Sequence, residues 1–99
     1  MNIAKLMQEA QKAHADMQKT MGELEVEGSS GGGLVKVRLN GLKDLRGVHI
    51  DSQALAGEEV GLVADLVMAA WEDAVAKLEV KQREVLGKMG MPSSLVGLF

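Results

Sequence analysis

Residues 24–41 read LEVEGSSGGGLVKVRLNG, and this stretch decides the fold. Residues 24–27 alternate apolar and acidic side chains, which predicts a short half-buried β-strand. The glycine and serine run at 28–33 predicts a flexible turn. The alternation resumes over residues 34–40 and sets two groups of side chains on opposite faces of a second strand: Val35, Val37 and Leu39 on one face, Lys36, Arg38 and Asn40 on the other.

A third strand is predicted at residues 48–51, where apolar and polar side chains alternate again. Gly41 and the Lys43-Asp44 pair supply the turn between the second and third strands. Such short connections favour strands that run antiparallel to their neighbours. The centre of the chain is therefore predicted to be a three-stranded antiparallel sheet.

A long helix is predicted on each side of the strands. Residues 2–22 hold a helical stripe with side chains three and four positions apart: Ile3, Met7, Ala10, His14, Met17, Met21 and Leu24. The second helix is predicted to begin near Glu58, whose charge suits the positive end of the helix dipole, and to stop near Gly87. The fold class is therefore α+β, with an αβββα protomer.

Ninety-nine residues make a single domain, predicted over residues 1–88. Residues 89–99 contain Pro92 and show no clear period, so we expect a loosely ordered tail. The side chains predicted to hold the core and a dimer interface are the apolar ones of the strands and the helix faces: Met7, Met17, Met21, Val35, Val37, Leu39, Leu66, Ala70 and Trp71.

A homodimer is predicted from the lengths of these elements. The second helix, with roughly 28 residues, would be about 42 Å long, whereas a strand of six residues measures about 20 Å. A small sheet cannot cover so long a helix, and a symmetric homodimer is the commonest remedy. The alternative is a monomer in which the end of the helix is solvated.

Enzymatic chemistry is not expected. The chain has no cysteine, and its two histidines, His14 and His49, have no recognisable catalytic or metal-binding setting. His14 is expected to be partly buried and His49 to face outward. The glycine run at 28–33 precedes a strand rather than a helix, so a hairpin turn is favoured over a phosphate-binding loop. We therefore expect no enzyme activity, no cofactor and no metal, and no segment is apolar enough to span a membrane.

Charge is distributed unevenly along a chain whose net charge is −3. Much of the acid falls in residues 23–33 and 51–73, so a basic surface can exist elsewhere. Lysines spaced by four or seven residues share one side of each predicted helix and are candidate phosphate contacts: Lys5, Lys12, Lys19, Lys77, Lys81 and Lys88. Lys36 and Arg38 are second candidates, since another layer could cover their strand face. The alternative is that these rows are only solvated helix faces.

An ordered set of segments resembles the YbaB/EbfC family along nearly the whole chain. The segments are LMQEAQ at 6–11, LEVEG at 24–28, GGLVKV at 32–37 with Asn40-Gly41, VHID at 48–51 and DLVMAAWEDA at 65–74. Trp71-Glu72 stands where that family usually has Phe-Asn. Glu72 adds negative charge to a stretch that is already acidic.

The resemblance implies an intertwined homodimer with projecting helical arms and no enzymatic activity. It implies a cytoplasmic, nucleoid-associated protein that binds double-stranded DNA, with a role in nucleoid organisation or gene regulation. It also implies recombination or replication proteins as further partners. The alternative function is a protein-interaction module of the recombination or replication machinery, in which the acidic block and the apolar end, Leu95 to Phe99, bind another protein and DNA affinity is incidental.

Overall fold

The computed structural model describes residues 2–92, 94 and 97. It contains five elements in the order helix, three strands, helix: α1 (Ile3–Glu23), β1 (Glu25–Ser30), β2 (Val35–Asn40), β3 (Leu45–Ile50) and α2 (Val60–Lys88). The strands form one antiparallel sheet in the order β1-β2-β3. The predicted αβββα fold is confirmed. Neither helix is apolar over the length that crossing a membrane would require.

The main core lies between the sheet and the first half of α2. The alternating side chains of β2, Val35, Val37 and Leu39, are fully buried on the sheet face that α2 covers. Ala70, Ala74 and Leu78 repeat at four-residue spacing on the facing side of the helix and are fully buried as well. The helix packs on β1 and β2. The sheet is thus covered on one face only, and over two of its three strands.

Gly28 is the point of closest approach between the sheet and α2. A Cβ atom built at this position would collide with the backbone of α2 at Ala70 and Ala74. Small residues on both sides let the strand and the helix come together at backbone distance. This contact explains why Gly28, although it begins the glycine and serine run, belongs to a strand.

A second core lies beyond the sheet, where the end of α1 meets the end of α2. Met17 and Met21 of α1 are buried against Leu86 of α2. Gln82, 1% exposed, donates from Nε2 to the carbonyl of Gly41 at 2.7 Å. The amide of Gly41 in turn donates to the carbonyl of Met21 at 2.8 Å. Residue 82 of α2 and residue 21 of α1 therefore lie side by side, joined through Gly41. The molecule is elongated and measures 68 × 19 × 17 Å.

Three element boundaries differ from the sequence prediction. The predicted turn at 28–33 is strand as far as Ser30, because Gly28–Ser30 pair with Val35–Val37. β3 begins at Leu45 rather than Val48 and contains a register shift, since Arg38 pairs with Gly47 and Leu39 with Leu45. α2 continues past Gly87 and ends before Gly90, whose φ of 74° is suited to the turn that terminates a helix.

Three side chains predicted to be packed are exposed in the protomer. Met7 is 60% exposed and His14 is also exposed, because neither belongs to a packed cluster of the described residues. Trp71 is 37% exposed, because it lies at the side of the α2 face that covers the sheet. His49 faces outward. Within the predicted tail, Met91 packs against the second core, while residues 93, 95, 96, 98 and 99 lie outside the described part of the chain.

Replacing Gly28 with alanine should destabilise the protein by ~1–3 kcal/mol, since the added methyl group must push β1 away from α2. Gly61→Ala is the matched control, because a Cβ there meets no atom within 4 Å and alanine favours helix. Denaturant unfolding measures both variants. Equal stability of the two variants would contradict the close contact at Gly28.

Candidate nucleic-acid interface

Lys5, Lys12 and Lys19, the lysine row, lie along one side of α1 that is exposed from end to end. Because seven residues make nearly two helical turns, the row lies on the opposite side of α1 from Met17 and Met21. None of the three ammonium groups makes an ion pair within the described residues, although Glu9 and Asp16 are on the same helix. The row therefore offers three ammonium groups without an ion pair, on a helix that also carries Glu9, Asp16 and Glu23.

Four of the other five cations predicted to contact phosphate form ion pairs with acidic side chains. The pairs are Lys36–Glu27 at 4.0 Å, Arg38–Glu25 at 3.2 Å, Lys77–Asp73 at 2.9 Å and Lys81–Glu84 at 3.8 Å. Each cation is about half exposed, so these pairs add little stability. They do reduce the positive potential that the four cations can offer to an anion. Lys88, in the last turn of α2, is exposed and makes no ion pair among the described residues.

The outer face of the sheet, where Lys36 and Arg38 lie, is not covered by either helix. The structure leaves these two side chains 45% and 51% exposed, so no second layer formed by the described residues covers them. The guanidinium of Arg38 lies over Gly47 on β3, where a Cβ atom would collide with it. The face is a ladder of opposite charges rather than a basic patch.

Side chains of α2 occupy the free edge of β1. The amide of Ser29 donates to Asp73 at 2.9 Å, and Lys77 donates to the carbonyl of Glu27 at 3.4 Å. The hydroxyl of Ser30, the next residue, donates to the carbonyl of Leu66 on α2. Hydrogen bonding from Ser29, followed by the interaction with Lys77, holds the pKa of the Asp73 carboxyl below its ordinary value. Edge groups satisfied in this way are unavailable to another strand.

The opposite edge, β3, is open and carries apolar side chains. Leu45, Val48 and Ile50, the open strand face, lie on the same side of the sheet as the core, because they pair with Leu39, Val37 and Val35. They are 40–55% exposed, since α2 stops short of this strand. Trp71 is on the flank of α2 away from β1, and Met68, one turn earlier, is 62% exposed.

Sequence reasoning missed the open strand face. The apolar side chains of residues 45–50 are visible in the sequence, but the register shift opposite Arg38 and Leu39 interrupts the alternation at the start of the strand. The residues predicted for the core and the dimer interface included none from β3. Only the position of α2 over β1 and β2 distinguishes the buried side chains of β2 from the exposed ones of β3.

The described part of the chain has no pocket and no group of three or more potential metal ligands. An open two-layer αβββα domain with exposed lysines along a projecting helix offers a surface rather than a cavity for binding. The chain belongs to the YbaB/EbfC DNA-binding family, whose model matches residues 1–92.

Named relatives agree with this assignment. A nucleoid-associated protein of Xylella fastidiosa is 42% identical over 97 residues, covering 95% of this chain and 89% of the relative. One from Xanthomonas campestris pv. campestris is 44% identical over 89 residues, covering 87% and 82%. The fold also matches the crystal structure of an uncharacterized protein from Helicobacter pylori, with a TM-score of 0.71, 24% identity and coverage of 90% of this chain and 97% of that one.

Acid should selectively weaken the contact at the β1 edge. Because the pKa of Asp73 is lowered in the folded state, its contribution to stability is present above the unfolded pKa of about 3.9 and is lost as pH falls through the folded value. Asp73→Asn should therefore be less stable than the original chain at pH 6, and the difference should shrink below about pH 4.

Denaturant unfolding between pH 6 and pH 2.5 measures this difference. Asp65→Asn is the matched control, since Asp65 is an exposed acid of the same helix with no hydrogen bond or ion pair in the described residues. A stability difference for Asp73→Asn that stays constant with pH would exclude the proposed role of the carboxylate.

Proposed function

We propose that this protein binds double-stranded DNA as a homodimer, mainly through contacts between the lysines of α1 and backbone phosphates. We place it in the cytoplasmic nucleoid, in nucleoid organisation or gene regulation. The observation that carries the proposal is the difference between two sets of cations. Acidic side chains form ion pairs with Lys36, Arg38, Lys77 and Lys81. The lysine row of α1 makes no ion pair in the described residues.

The geometry of the row suits a charged backbone. Lys5 and Lys19 are fourteen residues apart, about 21 Å along a helix. DNA carries one negative charge per about 1.7 Å of helix axis, so three lysines over that length can each meet a phosphate. Contacts of this kind position a protein on DNA without selecting a base sequence. Lys88, exposed at the end of α2, is the fourth candidate.

The net charge of −3 is compatible with this proposal because most of the acids lie outside α1. Residues 51–73 contain six acidic side chains and no basic one, and residues 23–33 contain three. Apart from Glu23, the last residue of α1, these acids lie in the loop before α2, the first half of α2 and strand β1. Two acids of β1 and one of α2 pair with Lys36, Arg38 and Lys77. Since α1 itself has three lysines and three acids, the proposal depends on ammonium groups without ion pairs rather than on a net positive charge of the helix.

Two triple variants with the same net charge test the assignment. Lys5→Ala/Lys12→Ala/Lys19→Ala and Lys36→Ala/Lys77→Ala/Lys81→Ala both change the charge of the chain from −3 to −6. We expect the first to weaken binding to a duplex of about 30 base pairs by tenfold or more at ~50 mM salt, and the second to weaken it much less.

The salt dependence gives an independent measure of the same contacts. For the original chain we expect log affinity to fall with log salt at a slope near −4, or roughly five phosphate contacts. The slope should become shallower in the first variant and stay nearly unchanged in the second. Equal losses in both variants would assign the binding to overall charge rather than to α1. A dimer that binds no duplex at ~50 mM salt would favour the protein-interaction alternative.

The dimer is supported by the asymmetry between the two sheet edges. Side chains of α2 occupy the edge of β1, whereas the edge of β3 is free and stands beside the open strand face. Exposed apolar side chains next to an unpaired strand edge are an interaction surface. A second copy would cover the open strand face together with Trp71 and Met68. Residues predicted for the interface, such as Val35 and Ala70, are instead buried within the protomer.

Charges introduced into the open strand face should dissociate the dimer. Val48→Asp/Ile50→Asp would have to bury two carboxylates at the interface, which is unfavourable without partners. Mass measurement in solution should show a monomer for this variant. Val80→Asp is the control, since Val80 is 54% exposed on α2 and distant from β3 along the helix. Trp71, the single tryptophan, should show a red shift of its emission when the dimer dissociates. If the double variant is still a dimer, the interface does not include the open strand face.

A further inference from the structure

Asn40 and Gly41 join the end of β2 to the turn before β3. An asparagine followed by glycine readily loses its side-chain amide, because glycine has no side chain to hinder attack by its own backbone nitrogen. The other asparagine of the sequence, Asn2, precedes a β-branched isoleucine, which hinders the same attack. Asn40 is therefore the asparagine at which this reaction is chemically easy.

The fold requires both members of this pair. A Cβ atom at Gly41 would collide with the backbone of Met21, near the end of α1, so only glycine fits there. The side-chain oxygen of Asn40 accepts from the amides of Leu42 and Asp44, each at 2.9 Å. Its Nδ2 donates to the carboxylate of Asp44 at 3.1 Å, a bond that an aspartate could not make because an ionised carboxylate only accepts.

The end of α1 protects the pair in the folded chain. The amide of Gly41 must lose its proton before its nitrogen can attack, and it donates to the carbonyls of Met21 and Leu24 at 2.8 and 3.0 Å. The side chain of Asn40 is 5% exposed and fixed by three hydrogen bonds. With α1 in place, the attacking nitrogen is engaged and the carbon that it would attack is held still.

Few side chains keep α1 in this position. Met17 and Met21 are its buried residues, and the first half of the helix is exposed. Elements held by few buried apolar contacts open locally before the rest of a protein unfolds. Because the main core lies between the sheet and α2, α1 can leave the second core and free the Gly41 amide while the main core stays closed.

We propose that Asn40 is a latent modification site that reacts when α1 leaves the second core. The Gly41 nitrogen, after losing its proton, forms a bond to the Cγ atom of Asn40. The bond from Cγ to Nδ2 breaks, and ammonia leaves. Water then opens the cyclic imide at one of its two carbonyl groups and gives aspartate or isoaspartate. The reaction consumes water and releases ammonia, without an oxidant or a cofactor.

The products hinder the return of α1. Aspartate puts a carboxylate beside Asp44, where the Nδ2 of Asn40 donated a hydrogen bond, and neighbouring carboxylates repel each other. Isoaspartate routes the backbone through its Cβ atom, which lengthens the chain before Gly41 and displaces the amide that α1 accepts. The modification thus marks chains whose α1 has opened, and their lysine row loses its fixed direction. Only this last consequence rests on the proposed function.

Two double variants test the protection by α1. Met17→Ala/Met21→Ala should raise the rate of reaction at Asn40 by about tenfold or more, because α1 loses the side chains that hold it in the second core. Leu6→Ala/Met7→Ala is the matched control on the exposed part of the same helix and should leave the rate nearly unchanged. Equal rates in the two variants would overturn the proposal.

Mass spectrometry of the full chain, kept in a mildly alkaline buffer, follows the reaction through the mass gained when NH₂ is replaced by OH. Trypsin releases residues 39–43 as one peptide, since Arg38 and Lys43 flank its cleavage sites. Chromatography of this peptide separates the aspartate and isoaspartate forms. Asn2 is the internal reference and should stay unmodified over the same time.

A urea series on the original chain distinguishes opening of α1 from complete unfolding, and it needs no variant to fold. Opening of α1 exposes little surface, so the rate should rise only shallowly with urea below the unfolding transition. A rate that rises as steeply as the equilibrium unfolding constant would overturn the proposal, because the whole fold would then have to open. So would a rate without urea equal to that of the fully unfolded chain.

Asn40→Asp reproduces the aspartate product and tests its effect on α1. Hydrogen exchange of the amides of residues 17–23 should be about tenfold or more faster than in the original chain, because α1 is held less firmly. Gln53→Glu adds the same charge at an exposed position of the loop before α2 and should leave this exchange nearly unchanged. Unchanged exchange in Asn40→Asp would contradict the proposed effect of the modification on α1.

Discussion

The structure depends on the close contact between Gly28 of β1 and the backbone of α2 at Ala70 and Ala74. It places α2 over β1 and β2, so that β2 supplies the buried side chains of the core. Because the sheet is narrow and the helix has 29 residues, two consequences are unavoidable. One strand, β3, is left uncovered, and the second half of α2 extends past the sheet to meet α1. The candidate dimer surface and the projecting part of α1 both follow from this one contact.

The acidic side chains of β1 and α2 have a structural role that explains the low net charge. Glu25 and Glu27 pair with cations of β2, and Asp73 holds the edge of β1 while pairing with Lys77. In these pairs the acids neutralise the cations of the sheet and of the middle of α2. The lysines of α1 make no ion pair in the described residues, so their ammonium groups stay available although three acids lie on the same helix. Local charge, rather than the total, determines what an anionic partner meets.

Periodicity in the sequence was sufficient to predict the order and type of every element, because apolar spacing reports directly which face of a helix or strand is buried. It was insufficient at Gly28–Ser30, where flexible residues form a strand because α2 requires a glycine there. It placed the end of α2 near Gly87, one residue before the observed end at Lys88, whose position is set where the terminal carbonyls find partners, here at Gly90 and Met91. The eight cations of the candidate site were all visible in the sequence. The pairs of Lys77 and Lys81 join residues three or four apart on one helix, whereas those of Lys36 and Arg38 depend on strand register and could not be read from the sequence.

The sequence by itself determined the αβββα order, the strand face that forms the core, and the placement of three lysines along one side of α1. These features follow from local periodicity, which one chain carries without reference to its neighbours. Only the tertiary structure decided that Met7 and Trp71 are exposed, that β3 is the open edge, and that Lys36 and Arg38 are paired. The ion pairs of Lys36 and Arg38 depend on the register of β1 against β2. The exposure of Trp71 and the open edge depend on where α2 lies relative to the sheet, and that position is set by contacts between residues more than forty positions apart, such as Ser29 with Asp73.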